Sequence, residues 1–132
     1  MKKFLLAIGI VVGLVASARE GRAEDSDPWL GRDKALHFGA SAVIGAGGYA
    51  VGTAIFDARG HAMLFGAGLA LAVGAGKELL DMTGFGDPSW KDFAWDAMGA
   101  ATGVAVAWGI DLLVRGVSPK HPPFALEPLV RF

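Results

Sequence analysis

Apolar and charged positions separate along the chain into three long uncharged stretches, each closed by a short polar or turn-forming segment. Ala35 to Phe56 contains no Asp, Glu, Lys or Arg. As a helix rising 1.5 Å per residue it would extend about 33 Å, close to the thickness of a bilayer core. Asp57-Ala58-Arg59-Gly60-His61 reads as a short polar turn. A second apolar stretch, Ala62 to Gly76, ends in Lys77-Glu78-Leu79-Leu80-Asp81, and Thr83 to Ser89 is rich in turn-forming residues. The third, Phe93 to Val114, is interrupted only by Asp96 and Asp111. Nothing alternates with the period of a strand. The short connections predict antiparallel neighbours, and the uncharged stretches leave little polar face for water. The expected fold is all-α: a three-helix antiparallel membrane bundle after an N-terminal signal segment. A water-soluble periplasmic bundle is the alternative.

The flanks complete this plan. Residues 1–23 read as a signal peptide, with Lys2 and Lys3 before an apolar run and small residues that permit cleavage after Ala18 or Ala23. An uncleaved anchor is the other option. Asp27-Pro28 suits the start of a short helical turn. The three-helix membrane domain is expected over 24–116. Residues 117–132 form a tail whose prolines, from Pro119 to Pro128, forbid a regular helix. With the positive N-terminus held inside, residue 24 onwards begins in the periplasm.

Small residues recur at the spacing of closely packed membrane helices, in Gly48-xxx-Gly52 and Gly99-xxx-Gly103. The predicted contact stripes are Asp33, His37, Ser41, Gly45, Gly48 and Gly52 on the first helix. Asp81, Glu78, Gly74, Ala70 and Ala67 follow on the second, and Asp92, Asp96, Gly99, Gly103 and Ala107 on the third. Val51 and Val104 are read as lipid-facing. Trp29, Trp90 and Trp95 fall at one interface and Trp108 toward the other.

In an up-down-up arrangement the ionisable residues gather at one membrane face, expected to be periplasmic. The cluster is Asp33, Lys34 and His37; Lys77, Glu78 and Asp81; Lys91, Asp92 and Asp96. Structural roles account for several of them. Asp33 suits an N-cap, Ser89-Trp90-Lys91-Asp92 fits a capping box, and Lys77–Asp81 and Asp111–Arg115 are spaced as ion pairs. Asp96 and Glu78 lie a turn inside their apolar stretches, where charge is costly unless paired or solvated. His37, Glu78, Asp81 and Asp96 form a candidate metal set, one imidazole with carboxylates, suited to a divalent cation that prefers oxygen ligands. His61 and His121 read as solvated.

Composition narrows the classes of function. The 132 residues are 53% hydrophobic and 19% charged, with 20 Gly and a net charge of −1, which offers no basic face for nucleic acid. The absence of Cys excludes disulfides and thiolate metal sites. No nucleophile elbow, phosphate loop or zinc-protease helix is present. Three functions remain: an envelope protein binding an ion, a lipid headgroup or a partner; a membrane-embedded hydrolase or transferase acting on a lipid-linked phosphate; and a purely structural bundle. In the second, Asp96 or Glu78 would act as base and His37 as acid or metal ligand. The expected partners are membrane lipid and either a membrane protein or a second copy of the chain.

Three segments carry a family likeness: Asp33-Lys34-Ala35-Leu36-His37-Phe38, Gly74-Ala75-Gly76-Lys77-Glu78-Leu79-Leu80-Asp81, and Trp90-Lys91-Asp92-Phe93-Ala94-Trp95-Asp96 followed by Gly99 and Gly103. In these the chain resembles the YfiM-like family of predicted bacterial periplasmic lipoproteins. The Asp-Lys-x-x-His-Phe start and the late Asp-x-x-x-Asp-x-x-Gly give a weaker likeness to VanZ-like membrane proteins, some of them linked to glycopeptide resistance. The resemblance implies an envelope location and one connected cluster, and no particular reaction. The chain departs from the lipoprotein pattern in having no Cys for lipid attachment.

Overall fold

The computed structural model describes residues 27–117; the signal segment, most of the Pro-rich tail and His121 lie outside them. Three helices make up the described chain: α1 (Arg32–Ile55), α2 (Arg59–Leu80) and α3 (Trp90–Arg115). All three are long and apolar enough to cross a membrane. The fold is an all-α bundle. α1 is the central element and packs against both neighbours.

The helices meet through glycine. A Cβ on Gly48 would sit 2.7 Å from the Gly66 Cα, and one on Gly52 2.8 Å from the Ala62 Cα. On the other side of α1, Gly45 lies against the backbone of Ala100, Gly99 against Phe38 and Gly103 against Ala42. Large side chains therefore point away from the bundle axis, and Leu64, Leu79, Ile110 and Leu113 are exposed on its exterior. That distribution suits a lipid surround, in which van der Waals contact between small residues holds helices together.

Several boundaries differ from the sequence expectation. α1 starts after Gly31, which occupies the N-cap position without a side-chain bond; Asp33 falls inside the first turn. The segment around Asp27-Pro28 is a bend and not a helical turn. α2 begins at Arg59, because Ala58 and Arg59 are buried and draw the chain back into the bundle early. α2 then runs into a wide π-type turn, Asp81–Phe85, which ends through Gly84 at φ 99°, a backbone region glycine enters without penalty. Val104 is also reassigned. It is 7% exposed and belongs to the core with Tyr49 and Ala62, whereas Val51 faces outward.

Candidate functional site

The connectivity brings the start of α1, the end of α2 and the start of α3 together. Lys34 is the centre of one half of the site. Although a cation, it is 1% exposed, and it is held by Asp27, by Asp33 at 3.0 Å and by Asp92 at 2.5 Å. One ammonium is thus shared by three carboxylates from three parts of the chain. Asp33 itself is half exposed; its neighbour Lys34 is the buried residue at this position.

His37, one turn along α1, centres the other half. Its Nδ1 lies 3.1 Å from Asp96 Oδ1 and its Nε2 3.4 Å from Asp92 Oδ2. Asp96 Oδ1 also accepts a 2.7 Å bond from the Ser41 hydroxyl. The other oxygen, Asp96 Oδ2, is buried without a hydrogen-bond partner among the described residues. It faces Gly74 of α2, where a Cβ would stand 2.5 Å away. Glycine at 74 is what lets a carboxylate from α3 reach the wall of α2.

Glu78 closes the third side. Its Oε2 accepts from the Ser89 backbone N–H at 2.6 Å, while its Oε1 is buried without a hydrogen-bond partner among the described residues. The Lys77 ammonium stands 3.7 Å from that oxygen and bonds Asp81 at 2.6 Å. The capping box is therefore divided. Ser89 Oγ accepts from the Asp92 N–H, as expected of its first half, but the reciprocal acceptor is Glu78 from α2. The Asp92 side chain, released from capping, turns to Lys34 and His37.

A cavity of about 440 Å³ opens between these groups. Its polar lining includes His37, Ser41, Asp92 and Asp96, and Leu36, Ile44, Val73 and Phe85 supply an apolar wall. Four carboxylates line it against the single ammonium of Lys77. No arginine is among the described lining residues.

No protein-family model, characterised protein or solved structure matches the chain.

The structure thus gathers seven of the nine cluster residues around the cavity or the Lys34 pocket beside it, and Glu78 stands next to them with a donor atom within 4.8 Å of His37 and Asp92. Lys91 stands apart: its ammonium donates to the Asp27 carbonyl at 2.5 Å and lies 5.6 Å from the centre of the Trp29 ring. Within the candidate metal set, His37 and Glu78 have donor atoms mutually within 4.8 Å, and the third member of that group is Asp92. Asp81 is instead engaged by Lys77 and lies against Gly86.

Sequence reading missed Asp27 and Ser89, which form an outer strap. Ser89 Oγ donates to Asp27 Oδ2 at 2.5 Å, and the Lys34 ammonium and then this hydroxyl hold the Asp27 carboxyl below its ordinary value. The strap continues into the aromatic residues at this end. Trp29 and Trp90 meet edge to face at 4.8 Å, and the Trp95 indole donates to the Trp29 carbonyl at 2.8 Å.

At the opposite end, Asp111 pairs with Arg115 as expected, but also accepts from Tyr49 at 2.7 Å and Arg59 at 2.5 Å. Arg59 is 1% exposed and reaches on to the Gly116 carbonyl at 2.7 Å. The signal for this network was the sole tyrosine of the chain, set in the uncharged stretch from Ala35 to Phe56.

Proposed function

We propose that the protein is a small exported inner-membrane protein of the cell envelope that binds a cationic ligand through its acidic, periplasm-facing pocket. The ligand class is a metal ion or the amine of a lipid headgroup or partner. Asp96 carries this reading. A carboxylate 3% exposed, with one oxygen satisfied by Ser41 and His37 and the other without a partner among the described residues, is costly to bury. A ligand that supplies positive charge repays that cost. The apolar wall beside the carboxylates suits a site reached from the lipid boundary.

The lining does not favour a lipid-linked phosphate. An anion there would meet four carboxylates, and the Lys34 ammonium is already divided among Asp27, Asp33 and Asp92. A purely structural network accounts less well for two buried carboxylate oxygens, Asp96 Oδ2 and Glu78 Oε1, without a hydrogen-bond partner among the described residues. The segments that carry the YfiM-like resemblance supply Lys34, His37, Glu78, Asp92 and Asp96 of the site.

Melting of the detergent-solubilised full chain tests the reading. Zn2+, Mn2+ or vesicles of phosphatidylethanolamine should raise the melting temperature, phosphatidylglycerol vesicles and inorganic phosphate should not, and Asp96→Asn should remove the response. A chain indifferent to every cation, whose Asp96→Asn variant still complements a deletion strain, would return the structural bundle as the answer.

A further inference from the structure

Three side chains at this end of the bundle each hold one polar atom in a hydrogen bond within the protein and carry a second. His37 gives Nδ1 to Asp96 Oδ1 at 3.1 Å. Asp92 Oδ1 accepts from the Lys34 ammonium at 2.5 Å. Glu78 Oε2 accepts from the Ser89 N–H at 2.6 Å. The second atoms are His37 Nε2, Asp92 Oδ2 and Glu78 Oε1, the last buried without a hydrogen-bond partner among the described residues. A carboxylate stands at each ring nitrogen, Asp96 Oδ1 at Nδ1 and Asp92 Oδ2 3.4 Å from Nε2. Carboxylate to imidazole N–H, with the far nitrogen left as donor, is the arrangement that orients metal-binding histidines.

From this geometry we propose that His37, Glu78 and Asp92 bind a divalent transition-metal ion, with Asp96 as the positioning residue of His37. A donor atom of each of the three lies within 4.8 Å of the others. A second observation points to the same ligand: Asp96, 3% exposed and lining the cavity, has its unpartnered Oδ2 turned to Gly74, one turn before Glu78 on α2. One nitrogen with carboxylate oxygens suits Zn2+, Mn2+ or Fe2+ better than Ca2+, whose shells are built from oxygen alone. All three donors come from different helices, so the ion would tie the bundle together at this end. The inference deepens the proposed function and rests on it, choosing a metal ion over an amine.

Co2+ added alone to the metal-stripped full chain in detergent is the direct probe, because its visible d–d bands report coordination whether or not any activity is known. One Co2+ per chain should bind with those bands and be displaced by Zn2+, which stands above Co2+ in site affinity for most such donor sets. His37→Asn and Glu78→Gln should abolish the bands, and Asp87→Asn, on the exposed loop, should retain them. Asp96→Asn should weaken binding by roughly 10–100-fold, as loss of an orienting partner does. If the histidine and glutamate variants fail to fold, the wild-type titration alone decides. Absence of the bands and of retained metal in the wild type overturns the metal site. Stabilisation by phosphatidylethanolamine vesicles would then leave the cationic-ligand reading standing, and no response to either would remove both.

Discussion

Two aspartates one turn apart on α3 perform different tasks, and their amide substitutions separate them. Asp92 shares Lys34 with two other acids and is 6% exposed. Asp92→Asn leaves the ammonium with only Asp27 and Asp33, and the cost of a partly unsatisfied buried group is about 1–3 kcal/mol. That exceeds the loss of a helix-terminal charge alone, the role the sequence assigned it. Asp96 pairs with no lysine. Asn at this position keeps an acceptor for Ser41 and removes an underpaired charge, so the melting temperature in detergent should hold or rise while ligand response is lost. A fall in melting temperature matching that of Asp92→Asn would contradict the distinction. The outer strap has its own signature. Because the folded-state value of Asp27 lies below the unfolded one, its contribution is complete above the ordinary carboxylate range and fades as pH falls through the lowered value. Fluorescence of Trp29, Trp90 and Trp95 should therefore change on acidification below about pH 4, and Asp27→Asn should remove that step.

Helix contacts give predictions of a different kind, because at a backbone-to-backbone contact no side chain can move aside. Gly48→Leu and Gly103→Leu should disrupt the bundle, whereas Val51→Leu on the exterior should be tolerated. Val104→Leu is the informative comparison. Buried against Tyr49 and Ala62, it should cost about 1–3 kcal/mol through overpacking, and a melt indistinguishable from Val51→Leu would place it on the surface after all. Gly84→Ala, with open space around its Cβ position but φ at 99°, should cost about 1–2 kcal/mol from backbone conformation alone. Much of this was legible from the chain. Uncharged length announced the three helices, and glycine spacing announced the faces on which α1 meets its partners. Position 104 was misread because Gly99, Gly103 and Ala107 mark only one edge of the α3 contact face. Ala100 and Val104 complete it, and nothing in an apolar run distinguishes core from lipid. The divided capping box was equally hidden, since Glu78 and Ser89 meet only through the π-type turn.

For the molecule as a whole, orientation is the first thing to establish. Reporter enzymes active only in the periplasm should work when fused after Gly86 and fail after Arg59 or Lys120, given an N-terminus held inside by Lys2 and Lys3. Release of the chain by osmotic shock without detergent would exclude membrane insertion. The glycine contacts bear on a further question. Ionisable residues occupy both ends of the bundle, Lys34, His37 and Asp96 at one and Arg59, Asp111 and Arg115 at the other, as they would in a conduit. Between those ends Gly45, Gly48 and Gly103 press directly on neighbouring backbone, and Tyr49, Ala62 and Val104 fill what space remains. Among the described residues, a protomer built this way has no lumen through which water could thread from end to end. An ion arriving at His37 must leave by the side it entered, so vesicles containing the reconstituted protein should be no leakier to Zn2+ or protons than empty ones.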